Sequence, residues 1–321
     1  MTRDPDDADD VALTHLDQPL FDGAGVTKGE LVDYLDAVAD RLLPALRDRP
    51  LSVVRARPGQ PPFVQKNLPG YAPPWIPRVE VPTGSARGVL VQPLCHDRRT
   101  LRWLANQRCV EFHPMLVRGR EGRVTDLVID LDPPQGTPFA RVAEAAVLVR
   151  AALAGAGLAG AVKTSGSKGV HVLVPVAPGL AVADAAAATR ALAARTARLD
   201  PRLVTTAYLL EDREGRIFVD PTRAGGGSLA AVYGPRARPG LPVSFPVGWD
   251  LLDRVDPADL TVRTAPGLLA GRDPWQEQRP ADQAVPPDLI EEGYAIPVPR
   301  VVALHAGRRR AAARRASPGP P

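Results

Sequence analysis

Aromatic residues make up only 5% of this 321-residue chain, and methionine and cysteine occur twice each. A core short of large rings must pack mainly through Leu, Val and Ala, which supply much of the 45% hydrophobic content. Two cysteines, Cys95 and Cys109, are too few for a disulfide framework and read as free structural thiols of a reducing compartment. No apolar run approaches the roughly 20 residues needed to span a bilayer. The start from Met1 to Asp10 is acidic, the reverse of a secretory signal. A cytoplasmic location is expected.

Charge of one sign is scarce too. The formal net charge is +4, and it divides unevenly. Five arginines from Arg308 to Arg315 put +5 on a tail without acids, the first ten residues carry −4, and the stretch between holds +3. Any grip on an anionic partner must therefore come from a local patch, with the arginine tail as a possible nonspecific phosphate contact. Residues 1–10 read as an acidic disordered arm, 11–275 as one folded unit, and 276–321 as a Pro- and then Arg-rich disordered tail.

Within the folded unit, Leu31, Tyr34, Leu35, Val38, Leu42 and Leu46 recur at helical spacing behind Thr27, with Glu30 three residues on, which predicts a capping-box helix. The proline-rich stretch Pro58–Pro82 is too irregular for a helix. Short strands are predicted around Val79–Val81 and Gly88–Val91, and a small helix around Trp103. A strand at Leu127–Leu131, a helix from Phe139, strands at Ala161–Thr164 and Val170–Val174, an Ala-rich helix at Ala183–Leu199 and a strand at Arg216–Asp220 follow. The fold class is α/β (α+β), and no internal repeat is visible.

Three features carry chemistry. In Asp126-Leu-Val-Ile-Asp130-Leu-Asp132-Pro-Pro the period of two sends Asp130 and Asp132 to one face at the end of a strand. Hard divalent cations take such oxygen ligands, and a metal pair can activate a 3′-hydroxyl while neutralising a leaving pyrophosphate. Taken alone, an Asp-x-Asp there is equally well a solvated strand end. Lys163-Thr-Ser165-Gly-Ser167-Lys168-Gly169-Val-His171 is a small-residue loop between apolar strands, suited to cradling phosphates through backbone N–H groups, hydroxyls and Lys168. It lacks the Walker order, and an ordinary hairpin turn is its bland alternative. Asp220 ends another apolar strand before Pro221, which repeats the geometry of the first pair.

Together, Asp-Leu-Asp-Pro, Thr-Ser-Gly-Ser-Lys-Gly-Val-His and the strand ending at Asp220 resemble, in order, the three motifs of the archaeo-eukaryotic primase superfamily. The segments around Val26–Leu35, Arg49-Pro-Leu-Ser, Phe63–Asn67, Trp103–Asn106, Glu111-Phe-His113-Pro, Ala237–Ser244 and Trp249–Trp275 extend the likeness to the polymerase domain of bacterial ligase D. The resemblance spans about 11–275 and implies a primase-polymerase fold, a central mixed or antiparallel sheet flanked by helices. It further implies that Asp130, Asp132 and Asp220 are catalytic and hold two Mn2+ or Mg2+ ions. Ser165, Lys168, His171, His113, Arg236 and Arg223 would hold the nucleotide, and Lys28, Arg55, Lys66 and Phe63 would contact DNA or its 5′-phosphate.

The implied activity is template-directed addition of nucleotides, ribonucleotides preferred, to 3′ ends at DNA gaps and breaks in nonhomologous end joining. The implied partners are DNA ends or gapped duplex, NTP or dNTP, the end-binding protein Ku and a separate DNA ligase, since the residues after Trp275 are too few for a ligase domain; the setting would be nucleoid-associated. Two departures stand out. Gln18 replaces a lysine that helps grip the 5′-phosphate, so weakened recognition is expected with Lys28 retained. Val64 replaces an aromatic that follows Phe63. A primase-like chain starter and a non-catalytic nucleic-acid-binding module are the alternatives kept open. A zinc site built on Cys95, His96, Cys109 and His113 has the wrong spacing.

Overall fold

The computed structural model describes residues 11–82, 88–119, 121–224 and 226–298. In chain order the elements are α1 (Lys28–Leu46), β1 (Leu51–Arg57), β2 (Gln60–Gln65), β3 (Arg78–Pro82), β4 (Val89–Pro93), α2 (Arg98–Asn106), β5 (Cys109–Pro114), β6 (Val117–Arg118), β7 (Arg123–Val124) and β8 (Asp126–Asp132). They continue with α3 (Phe139–Ala154), β9 (Ala161–Thr164), β10 (Val170–Pro175), α4 (Val182–Leu199), β11 (Val204–Thr205), β12 (Ile217–Asp220), α5 (Ala265–Leu269), α6 (Pro274–Gln278) and α7 (Pro287–Ala295).

A five-stranded mixed sheet of order β11-β12-β8-β10-β9 forms the centre. Its middle strand β8 is buried along nearly its whole length, because one face packs on helices while the other faces a second layer. Leu127, Ile129 and Leu131 join the main core with Val142, Ala146 and Val149 of α3 and Ala188 and Leu192 of α4. Alanine on those helices lets them sit close to the sheet, which answers the shortage of large rings. The second layer is a three-stranded antiparallel sheet, β2-β1-β5, with α1 and α2.

The predicted helix behind Thr27 forms as α1, with both hydrogen bonds of its capping box: Glu30 N donates to Thr27 Oγ1 at 3.2 Å and Thr27 N to Glu30 Oε2 at 2.8 Å. Its Tyr34 hydroxyl donates to Tyr233 O at 2.8 Å, tying α1 to the loop that carries Arg236. No helix among the described residues is long and apolar enough to cross a membrane.

The proline-rich stretch Pro58–Pro82 contains no helix, as expected, and part of it is ordered strand: β2 contains Pro61 and Pro62 yet pairs with β1 through a turn at Gly59, whose φ is +73°. Proline is tolerated because β2 is an edge strand and one side of its ladder needs no donors.

One expectation needs correction: residues 276–295, expected within a disordered tail, carry ordered elements. Helix α6 spans Pro274–Gln278, and α7 follows, opened by Pro287 at its first turn, with Leu289 fully buried. Helix α7 docks on α4 where Gly293 meets Ala187 so closely that a Cβ would lie 1.8 Å from the Ala187 carbonyl oxygen. Glu292 pairs with Arg195 at 2.6 Å and Arg198 at 2.8 Å. The acidic arm at 1–10 and the Arg308–Arg315 cluster lie outside the described residues.

Candidate active site

Strand pairing builds the site. In register, Lys163 of β9 stands opposite His171 of β10, His171 opposite Asp130 of β8, and Asp130 opposite Asp220 of β12. Directly opposed residues share a face, so four polar side chains form one row across four strands. Two residues along, on the same face, β8 adds Asp132, and Ser165 follows the end of β9. The row opens into a cleft of about 780 Å³ lined by Asp130, Asp132, Asp220, Ser165, Lys168, His171, His113, Arg213, Arg223, Arg236 and Arg238. Five of those side chains are cationic and three acidic, a balance that suits a polyanionic ligand.

Each carboxylate has a cation. Asp130 meets Arg223 at 3.3 Å, Asp220 meets the same guanidinium at 3.5 Å, and Asp132 pairs with Lys168 and Arg213 at 3.0 Å each. Burial raises the Asp130 carboxyl to about 6; Arg223 opposes this and the neighbouring Asp220 and Asp132 add to it. Among the described residues no three His, Cys, Asp or Glu side chains form a ready metal shell. The donor set nevertheless fits a hard divalent cation. Three carboxylates share one face, and the buried Asp130 lacks enough positive charge to ionise easily.

The candidate phosphate loop is organised by its own first serine. Ser165 Oγ accepts from the N–H groups of Ser167 at 3.2 Å and Gly169 at 3.1 Å. Gly166 has φ +68°, and a Cβ there would fall 2.6 Å from Arg236 Cγ and 2.7 Å from Ser244 N. Gly169 is equally constrained, since a Cβ would come within 2.2 Å of Leu131 O on β8. Arg236 donates to Ser165 O at 2.6 Å, which locks the guanidinium over the loop.

Three supporting residues escape a reading of the sequence for site chemistry. Lys163 is buried, and its Nζ lies 2.7 Å from His171 Nδ1 while donating to Ser244 Oγ at 2.6 Å and Ala230 O at 3.0 Å. Burial, aided by Arg236 and opposed by Asp130, holds its pKa well below the usual lysine value. Burial first, then Lys163 and Arg236, lowers His171 so that the ring is neutral. Its Nε2 lies 3.5 Å from Asp130 Oδ1.

Glu111 joins His113 to Arg236. Its Oε2 is 2.7 Å from His113 Nε2 and 2.9 Å from Arg236 Nε, and Oε1 accepts from Ala237 N at 2.9 Å. Burial alone would raise this carboxyl, but the His113 hydrogen bond, the Arg236 charge and the Ala237 N–H bring it down to about 2. Arg213, the third, lies 4.0 Å above the Phe218 ring as it reaches Asp132. Lys163 opens the phosphate-loop motif and Glu111 stands two strand positions before His113, so period two was the available signal. Arg213 gave none.

The remaining expected residues lie outside the cleft lining. Arg55 is buried, bonded to Gln107 O, Gln65 and Tyr71, and lies 5.8 Å from the centre of the exposed Phe63 ring; Lys66 is exposed just beyond the same hairpin. Lys28 sits elsewhere, buried, with Nζ donating to Thr14 O at 2.5 Å and Asn106 Oδ1 at 2.6 Å. Gln18 accepts from Arg108 at 2.7 Å. Both cysteines are free and buried, and burial pushes the Cys109 thiol up to about 12, as structural thiols require.

A cationic cleft over three strand-borne carboxylates, on a mixed sheet backed by two helices, defines a protein of the primase-polymerase class. The chain belongs to the LigD primase-polymerase domain family, whose profile matches residues 27–275. It is 35% identical over 260 residues to the multifunctional non-homologous end joining DNA repair protein LigD of Mycobacterium tuberculosis, covering 77% of this chain and 34% of that protein. It is 30% identical over 259 residues to the bifunctional non-homologous end joining protein LigD of Bacillus subtilis, covering 79% of this chain and 41% of that one. The chain thus spans about a third of the length of the mycobacterial relative. The solved polymerase domain of Mycobacterium tuberculosis ligase D in complex with DNA superposes with a TM-score of 0.73 at 32% identity, covering 84% of this chain and 99% of that one.

Proposed function

We propose that this protein is a nucleotidyltransferase that extends 3′ ends at DNA gaps and breaks on a template, with ribonucleotides preferred, in nonhomologous end joining. The observation that carries the reading is the row Lys163–His171–Asp130–Asp220, with Asp132 and Ser165 one step along, beneath a cleft with excess positive charge. Asp130, Asp132 and Asp220 would hold two divalent ions, Mn2+ or Mg2+. Such a pair lowers the pKa of a 3′-hydroxyl and neutralises charge on departing pyrophosphate.

The chain's own residues do the rest. Lys168, Arg236 and the Ser165 loop bind the triphosphate. His171, fixed by Lys163, presents Nε2 to the cleft, and Glu111 holds His113 and Arg236 in place. Arg223 and Arg213 offset the carboxylates until an anion arrives. Catalysis then rests on positioning and electrostatics rather than on a protein nucleophile.

DNA ends or gapped duplex would lie along the hairpin carrying Phe63, Arg55 and Lys66. Lys28 would contribute to a 5′-phosphate contact, weakened by Gln18. Ku, a separate DNA ligase and a nucleoid-associated, cytoplasmic setting complete the proposal; they follow from the resemblance to the ligase D polymerase domain, and the end-joining role in the relatives' names supports them.

The test is primer extension on a gapped duplex with Mn2+, ribo- against deoxynucleotides, for wild type and Asp130→Ala/Asp132→Ala. Wild-type extension that the double variant lacks, faster with ribonucleotides, is expected. A folded wild type that binds the duplex but adds nothing with any metal or nucleotide would instead establish a binding module.

A further inference from the structure

The cleft face of β8 begins four residues before Asp130, at Asp126, and the catalytic reading leaves that carboxylate unused. Asp126, Val128, Asp130 and Asp132 alternate onto the same face. Val128 packs with Leu116, Leu229 and Leu173 into a small apolar cluster separate from the main core. Leu116, Leu173 and Leu229 of this cluster also line a second cavity of about 600 Å³ at the Asp126 end. Leu229 and Ala230 line both spaces, so the two cavities share a wall.

The second cavity has an apolar floor and a cationic mouth. Leu116, Leu173, Val176, Leu229 and Trp275 supply the floor; Arg49 and Arg279 contact Asp126, and Arg118 and Arg123 line the same cavity. Asp126 is already compensated, by Arg279 at 2.6 Å and Arg49 at 3.5 Å, with Thr125 donating to it at 2.6 Å. The whole lining carries seven arginines and Lys163 against Asp40, Asp126 and Asp282, an excess of positive charge in a partly desolvated space. Buried Arg118 Nε has no hydrogen-bond partner among the described residues, and Arg123 is exposed at the mouth. Guanidinium forks match phosphate oxygens, and a doubly charged anion offsets this excess better than a carboxylate does. The volume falls in the range that encloses nucleotide-sized ligands.

We propose that this second cavity binds a small organic phosphate, a phosphomonoester on a nucleoside-sized body, with the body on the Leu116–Leu173–Leu229 floor and the phosphate among Arg118, Arg123 and Arg279. The site is distinct from the nucleotide cleft and does not depend on the polymerase reading.

The probe is AMP, titrated calorimetrically into the full chain in chelator, with adenosine and inorganic phosphate as separate arms. Saturable AMP binding is expected, at least tenfold tighter than either fragment. Arg118→Glu/Arg123→Glu should weaken it at least tenfold, while Lys168→Glu in the other cleft leaves it unchanged. Arg123→Glu alone, at an exposed position, should weaken it severalfold. Absence of AMP binding, or binding lost with Lys168→Glu and kept in the arginine variants, would overturn the proposal. Phosphate binding as tightly as AMP would overturn the assignment of the floor.

Discussion

Replacing Asp130 by asparagine should make the metal-free protein more stable while abolishing nucleotide addition. The folded carboxyl keeps its proton to about 6 against a reference of 3.8, a rise of roughly two pH units caused first by burial. Each unit corresponds to about 1.4 kcal/mol. Above pH 6 the native state therefore holds an ionised Asp130 at a cost of up to about 3 kcal/mol, net of the help from Arg223. Between about pH 4 and 6 the folded chain binds more protons than the unfolded one, so stability falls as pH rises through that window.

Asparagine mimics the neutral acid in shape and removes this cost. Asp130→Asn should gain up to about 3 kcal/mol at pH 7.5, roughly 5 °C in Tm, and almost nothing near pH 4. Urea and thermal melts in chelator at both pH values measure it. Added Mn2+ should raise the wild-type Tm at pH 7.5 and leave that of the variant unmoved. A variant no more stable than wild type at pH 7.5, or one whose gain persists undiminished at pH 4, would refute the electrostatic account.

Three further perturbations separate the parts of the site. Glu111→Gln removes a carboxylate held near 2, whose contribution is complete above about pH 4.5 and is lost as pH falls towards 2. At neutral pH it should cost up to about 3 kcal/mol, and nucleotide KM should rise more than kcat falls because Arg236 and His113 lose their holder; an unchanged KM would detach Glu111 from the site. Gly166→Ala places a Cβ against Arg236 and the Ser244 backbone at positive φ. It should cost about 1–2 kcal/mol and weaken triphosphate binding, and kinetics like those of wild type would show that the loop tolerates the shift. Gly293→Ala drives a Cβ into the Ala187 carbonyl; it should free α7 for limited proteolysis and cost about 2–3 kcal/mol. An α7 that stays protected would contradict the docking.

Much of the site was legible because β8, β10 and β12 carry chemistry at the ends of apolar runs, where a polar residue on a strand stands out. What period two does not give is which strands become neighbours. That Asp220 lies opposite Asp130, with His171 on the other side, is fixed by the order β12-β8-β10, which depends on contacts far apart in sequence. The expected DNA-contact positions rest on likeness alone. The structure gathers Phe63, Arg55 and Lys66 at one hairpin but buries Lys28 against Thr14 and Asn106, a contact between segments 78 residues apart. Helix α7 escapes a reading of the sequence because it opens on Pro286 and Pro287 in a Pro-rich stretch; buried Leu289 and Gly293, with Ile290 against the core, dock it on a facing helix rich in alanine.

The residues that sequence reasoning passed over share a physical character. Lys163, Glu111 and Asp126 are charged groups inside apolar surroundings, and pattern reading treats such positions as interruptions of a strand. Each is kept in the interior by named partners: His171 and Ser244 for Lys163, His113 and Arg236 for Glu111, Arg49 and Arg279 for Asp126. A buried charge is tolerated only where a partner compensates it. Lys163 and Asp126 line the second cavity and Glu111 holds His113 and Arg236 of the cleft, so the region of these two cavities, with its paired charges, is where this fold departs from an ordinary apolar core. In such a fold the polar side chains that break an apolar strand mark the working face of the sheet.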